Sequence, residues 1–311
     1  MHPAITKTLV ICLALLSLAG LSCRSVDLPT VGTPTRDVRD DLGKTVRVPE
    51  KIERAISLAP SLTEMIFAIG AGDRLVGVTT YCNFPAGTAS IEKVGDTQSP
   101  NIEKIIALKP QIVFISTASQ LEAFQKTLDE QAIAVYVTNP TRLSEVFANL
   151  RQLGDLFGKP EAAESLLGTL SARVAEVSKE GNIQGGHRVF IQISNEPLFT
   201  IGKDSFLTEL VELAGGVSVT KEVATAYPKL SKETAAALDP DVIFLSDSDD
   251  NREPNPAFKN SNAVKNGRVY RINADIISRP GPRLVDALEE IASKLDSRRT
   301  SASPGNSNVD R

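Results

Sequence analysis

From residue 55 onward, short continuous apolar runs alternate with segments whose apolar residues recur at helical spacing. Residues 55–59 (AISLA), 75–79 (LVGVT), 111–116 (QIVFIS) and 134–138 (AVYVT) read as buried strands. Between them, residues 62–69 form a helical pattern after the Pro60-Ser61 turn, stopped by Gly70 and Gly72, and residues 102–108 form another that ends before Pro110. Strands apolar on both faces and separated by helices predict parallel pairing with both faces covered. Ahead of this pattern, residues 37–49 (DVRDDLGKTVRVP) place Leu-Gly between polar and β-branched residues, which predicts a small hairpin.

The alternation pauses at residues 160–179. Pro160 stands at a permissible first-turn position, and Ala163, Leu166, Leu167, Leu170, Val174 and Val177 follow at helical spacing. Strands and helices then resume with residues 189–193. The second half also repeats the first: residues 101–116 (NIEKIIALKPQIVFIS) align without a gap on 231–246 (SKETAAALDPDVIFLS), so that Glu103 matches Glu233, Pro110 matches Pro240 and Phe114 matches Phe244. Leu62-Thr63-Glu64-Met65 likewise echoes Leu207-Thr208-Glu209-Leu210. An internal repeat of helix–Pro–strand units predicts two α/β lobes of one Rossmann-like kind with parallel sheets, joined by a single long α-helix, with a ligand cleft between them. The boundaries expected are 37–158 for the first lobe, 159–181 for the interlobe helix and 187–296 for the second lobe. Residues 297–311 have no apolar face and read as a disordered tail.

The N-terminus changes the picture of where the chain works. Lys7 precedes an apolar run of 13 residues, 9–21, and no acidic residue occurs before Asp27, the pattern of an export signal over 1–22. Gly20-Leu21-Ser22-Cys23 resembles a bacterial lipobox, which makes Cys23 the candidate lipidation site and residues 23–36 a flexible tether. Simple cleavage after Ser22 is the alternative, because Gly20 and Ser22 also form a small-x-small site. The implied location is the periplasm or the outer face of the cell envelope.

Composition then removes whole classes of chemistry. A net charge of −4 with no basic arm argues against nucleic acid as a partner. The chain has only two histidines, His2 and His187, and His2 precedes the cleavage point, so a poly-His metal site or a Ser-His-Asp triad would rest on His187 alone. Cys12, Cys23 and Cys82 do not make a disulfide scaffold, and Cys82 reads as a buried, inert thiol. Gly70-Ala71-Gly72 lacks the spacing of a phosphate loop and reads as a helix cap. No cofactor and no protein-held metal is expected, and no catalytic residue is assigned.

Binding is the better reading. In open parallel sheets ligands sit beyond the carboxyl ends of the strands, so the loops after the strands carry the candidates. The first, residues 79–85, presents Tyr81 between polar neighbours. The second, 195–200, presents Phe199. The third, 273–283, carries Asp275 and Arg279, an acceptor and a donor respectively for a polar clamp.

These segments resemble the class III periplasmic substrate-binding proteins of ABC importers, and within them the vitamin B12 (cobalamin) branch, whose sister branches carry ferric siderophores and haem. The resemblance rests on 57–64 (SLAPSLTE), the 81–85 loop, 101–110, Phe199-Thr200-x-Gly202-Lys203 and Arg279-Pro280-Gly281-Pro282-Arg283, and runs from about residue 54 to 295. It implies a monomeric receptor that moves little on binding and captures cobalamin or a related corrinoid, a ligand already holding its metal. Tyr81, Phe199, Asp275 and Arg279 would match residues that hold the corrin ring and its amides, and Tyr227 stands where the branch has a Trp. Glu103 and Glu233 would match the acids that dock on an ABC permease dimer. The chain has no Trp, and Thr97 and Ser116 occupy positions where the branch places further tryptophans. The alternatives are a ferric siderophore or haem as ligand, a Rossmann-like cleft enzyme built on His187, and a surface adhesin on the same fold.

Overall fold

The computed structural model describes residues 34–116, 122–181 and 186–296. The export signal, Cys23, almost all of the tether and the 297–311 tail lie outside the described residues. The hairpin comes first: β1 (Thr35–Arg39) pairs antiparallel with β2 (Thr45–Pro49), so regular structure begins inside the stretch assigned to the tether. The Asp40 carboxylate closes its turn by accepting from the Leu42 and Lys44 backbone N–H groups at 3.0 and 2.9 Å. Asp41 pins the hairpin to the first lobe by accepting from Asn139 N and Asn149 Nδ2 at 2.7 and 2.9 Å.

The first lobe runs β3 (Ala55–Ser57), α1 (Pro60–Ala68), β4 (Leu75–Val78), α2 (Ile102–Ala107), β5 (Ile112–Ser116), α3 (Glu122–Glu130), β6 (Ala134–Thr138) and α4 (Leu143–Leu156). Its four strands are all parallel, in the order β4-β3-β5-β6. Gly70 sits at φ +75° just beyond α1, the left-handed position that ends a helix most cheaply with glycine. Helix α5 (Pro160–Gly181) then leads to the second lobe: β7 (Arg188–Ser194), β8 (Phe199–Thr200), α6 (Phe206–Leu213), β9 (Val217–Ser218), α7 (Lys232–Leu238), β10 (Val242–Asp247), α8 (Asn262–Lys265), β11 (Val269–Asn273), α9 (Ala274–Ser278) and α10 (Leu284–Leu295). Here β11, β10, β7 and β9 pair in parallel, and the two-residue β8 folds back antiparallel on the end of β7.

Successive residues of a strand face opposite sides, and the cores follow that period. Ile112 and Phe114 enter the large core while Val113 enters the outer core of the first lobe; Val242 and Phe244 against Ile243 do the same in the second. The large core includes residues from Val46 to Leu295, so the two lobes share one apolar interior that α5 helps to line. Helix α5 is tied to both. Gly154 of α4 lets Ala163 approach so closely that a Cβ at 154 would collide with it, and Arg151 pairs with Glu164. At the far end Arg173 reaches Asp286 and Glu289 of α10, both at 2.6 Å.

The repeat is visible in the backbone. Lys109 and Asp239, each before the proline of its unit, both adopt positive φ, 47° and 41°. In each unit an arginine at the start of the neighbouring parallel strand caps the helix: Arg54, just before β3, donates to the Leu108 carbonyl, and Arg188 Nη2 of β7 donates to the Leu238 carbonyl at 2.5 Å. Gln111 and Asp241, which align, accept from the backbone N–H groups of Arg54 and Arg188 at 3.1 and 3.0 Å. Such shared irregularities have no reason to coincide in two unrelated helix–strand units.

Candidate functional site

Where the two sheets present their carboxyl ends to one another lies a cleft of about 660 Å³. Strand-terminal residues wall it: Ser116 and Thr138 from the first lobe, Ile193 and Ser246 from the second. Two helix N-termini open onto it as well, Ala59-Pro60-Ser61 at α1 and Ser205-Phe206 at α6, and their dipoles favour electronegative ligand atoms there. The remaining wall includes Thr97, Tyr227, Ile277 and Arg279. The cleft therefore combines apolar surface with a scatter of hydroxyls, the composition of a small-molecule site. At one side it shares Thr141, Asp204 and Ser205 with a polar groove of about 810 Å³ that also touches Arg142, Lys203 and Glu209.

Of the residues singled out in the sequence, Tyr227 and Arg279 lie on the cleft wall. Tyr227 is 43% exposed, and its position depends on a tight neighbour: a Cβ on Gly202 would collide with the Thr225 carbonyl oxygen. Gly202 N–H donates to the Ala226 carbonyl at 2.9 Å, which fixes the 223–227 segment against the turn before α6. Thr225, a β-branched residue, is held at φ +77° by this packing, a conformation that costs energy and persists only where neighbours impose it. Burial pushes the Tyr227 phenol above its ordinary range, against an opposing hydrogen bond with Ser205.

Tyr81, Asp275 and Arg279 are brought together, but by contacts different from a polar clamp waiting for ligand. Arg279 is 9% exposed and spends all four of its terminal N–H donors on protein: Nη1 on Glu64 at 3.1 Å and Asn83 at 2.8 Å, Nη2 on the Tyr81 carbonyl at 3.2 Å and Asp275 at 2.6 Å. Asp275 also accepts from Asn83 Nδ2 at 2.9 Å. The Tyr81 side chain itself is 58% exposed, beside Phe84, over whose ring the Arg283 guanidinium stacks at 4.2 Å. Phe199 is half-buried in β8 and is not on the cleft wall.

Residues 273–283, read as a loop in the sequence, in fact contain α9, which Asn273 caps by accepting from Asp275 N at 2.8 Å. The cap was visible as Asn two residues before an acid; a five-residue helix was too short to leave a periodic trace. The network also recruits Glu64, Asn83 and Arg283, whose role sequence reasoning missed, although all three lay inside the quoted motifs. The hydroxyls at strand ends had a signal too: QIVFIS, AVYVT and VIFLS each finish an apolar run with Ser or Thr.

Glu103 and Glu233 are both exposed, in the first turns of α2 and α7, helices capped by Asn101 and Ser231 side chains. Among the described residues neither makes an ion pair. Glu233 is held below the ordinary carboxylate range by its own backbone N–H, with help from Ser231. Cys82 is a buried free thiol between the Thr63 and Thr79 hydroxyls, each at 3.2 Å. His187 lies at the far end of β7 beside Arg268, away from the cleft, and burial followed by that charge lowers its pKa. Among the described residues no cluster of His, Cys, Asp or Glu could hold a metal ion.

Two repeated α/β lobes around a cleft at their strand ends, bridged by one helix, define a two-lobed binding protein of the substrate-capturing kind. The sequence bears this out: the family model described as "Periplasmic binding protein" matches residues 56–276, and the chain belongs to that family. It is 31% identical over 257 residues to a vitamin B12-binding protein of Vibrio cholerae, covering 79% of this chain and 90% of that one. It is 29% identical over 267 residues to the ABC transporter substrate-binding lipoprotein YvrC of Bacillus subtilis, covering 83% and 84%. The crystal structure of the periplasmic vitamin B12 binding protein BtuF of Vibrio cholerae superposes with a TM-score of 0.70 at 29% identity, over 82% of this chain and all of that one. A periplasmic haem binding protein from Pseudomonas aeruginosa superposes with a TM-score of 0.71 at 25% identity, over 82% and 95%.

Proposed function

We propose that this protein is a non-catalytic extracytoplasmic receptor that captures cobalamin or a related corrinoid in the interlobe cleft and delivers it to an ABC permease. The observation that carries the reading is the cleft itself, about 660 Å³ at the carboxyl ends of both sheets, walled by hydroxyls and apolar side chains. Those hydroxyls suit a macrocycle edged with amides, which offer and accept hydrogen bonds around an apolar ring. Tyr227 supplies an aromatic wall; Tyr81 and Phe199, which do not line the cleft, would contact ligand groups that extend beyond it, and Asp275 with Arg279 would shape the rim. Glu103 and Glu233, repeat-related and outward-facing, suit docking on paired permease arginines through charge-assisted hydrogen bonds. Cys23 is the proposed lipid attachment point that would hold the receptor at the membrane, and the working unit is a monomer.

Haem is the second reading, favoured by the presence of one phenol, Tyr227, on the cleft wall. A ferric iron needs an axial donor such as His, Tyr, Cys or Met. Among the described residues, those lining the cleft include no His, Cys or Met, which leaves the Tyr227 phenol to serve as axial donor. Calorimetric titration with cyanocobalamin tests the choice: saturable one-to-one heat supports the corrinoid, whereas no heat with cyanocobalamin and a Soret shift with haemin would replace it by the second reading.

A further inference from the structure

The repeat that relates the lobes also relates two glutamates which the capture site leaves unused. Glu64 in α1 and Glu209 in α6 occupy the same place in the echoed Leu-Thr-Glu segments. Each reaches out of its own lobe into the other. Glu64, 3% exposed, accepts from Arg283 Nε at 2.8 Å, Arg283 Nη2 at 2.5 Å and Arg279 Nη1 at 3.1 Å. Glu209 accepts from the backbone N–H of Leu143 at 2.7 Å, capping the first turn of α4 from across the groove. Gly281, between the two arginines, faces the same helix end: a Cβ there would stand in ordinary van der Waals contact, 3.5 Å from the Ser61 carbonyl oxygen and 3.8 Å from Glu64 Oε2.

We infer that Glu64 and Glu209 are a repeat-related pair of interlobe latches that set the width of the cleft before any ligand arrives. The helices that carry them are the two whose N-termini wall the cleft, so any rotation of one lobe against the other must break a latch and move a wall. The latches differ in chemistry. Glu64, together with Asp275, balances the two guanidiniums of Arg279 and Arg283 and needs its charge; Glu209 serves one neutral N–H donor and needs only an acceptor. Both are positioning residues, acting on ligand through the helices they hold.

The test uses the ligand-free full chain with spin labels at Lys126→Cys and Lys265→Cys, exposed sites in the first and second lobes, in a Cys12→Ser, Cys23→Ser, Cys82→Ser background. Pulsed electron–electron resonance should give one narrow interlobe distance for the parent. Glu209→Ala should at least double the width of that distribution, and Glu209→Gln, which keeps an acceptor oxygen, should restore the parent width. Glu64→Gln, isosteric but uncharged, should broaden it without rescue. Parent-like widths in Glu209→Ala, or equal broadening by Glu209→Ala and Glu209→Gln, overturn the inference. The Glu209 pair decides the matter if Glu64→Gln does not fold, and no part of the readout depends on which ligand the protein carries.

Discussion

Replacing Arg279 by alanine distinguishes a residue that grips ligand from one that holds the site together. In the structure its guanidinium makes four hydrogen bonds, two of them to carboxylates, at 9% exposure. Removing one partner of a buried ion pair typically costs about 3–5 kcal/mol. The lower end applies here, because Glu64 keeps two bonds from Arg283, and the Tyr81 carbonyl, Asp275 and Asn83 are near enough to solvent for water to replace what they lose. For a chain of this size, about 3 kcal/mol corresponds to a fall in melting temperature of roughly 6–12 °C. Arg279→Lys should recover only part of it, since one ammonium cannot reproduce a fork bonded on both terminal nitrogens. Calorimetric melting of the ligand-free protein measures the shift directly. A fall under about 2 °C on the same scale, together with abolished cyanocobalamin binding, would refute the structural role and make Arg279 a direct ligand contact.

Other substitutions probe separate parts of the account. Gly202→Ala must displace the Thr225 carbonyl and with it the Tyr227 segment, so it should weaken cyanocobalamin binding at least tenfold in titration while helix content by circular dichroism stays unchanged. Tyr227→Ala should weaken binding by about 1–2 kcal/mol, roughly tenfold, through lost aromatic contact alone. The Glu289 carboxylate is held below its ordinary range chiefly by its hydrogen bond from Arg173, so its contribution is full above the unfolded carboxylate pKa and disappears as pH falls through the lower folded one. Glu289→Gln should therefore lower the melting temperature at pH 7, by no more than about a few degrees for so exposed a pair, and the difference from the parent should shrink as pH falls through the folded carboxylate's lowered pKa and vanish below it. Glu103→Ala combined with Glu233→Ala should leave the dissociation constant within about twofold in titration, since neither residue is near the cleft, and should abolish uptake in cells.

The lobes, the bridging helix and the repeat were legible because each is a local pattern. Parallel strands buried on both faces leave continuous apolar runs, and the helix–Pro–strand unit keeps Glu, Leu and Pro in register over an offset of 130 residues. The sequence even marks the backbone irregularity before each proline, though only the structure reveals that Lys109 and Asp239 share it. What stayed hidden is what the chain assembles across distance. Glu64 and Arg283 are 219 residues apart, and nothing about either one names its partner. For the same reason Asp275 and Arg279 read as a clamp with free donors and acceptors, when the Tyr81–Asn83 turn of the other lobe already fills them. The short β8 and α9 were read as loops because two and five residues are too few for a period to declare itself.

Hydrogen exchange with and without saturating cyanocobalamin addresses the shared cleft most directly, because it reads both walls in one experiment. Slowed exchange should concentrate in peptides containing Ser61, Thr97 and the strand ends at Ser116 and at Thr138 on one lobe and Ser205, Tyr227 and Ser246 on the other, with helices α2 and α7 unaffected. Protection confined to a single lobe, or centred on the outer faces, would contradict capture between the lobes.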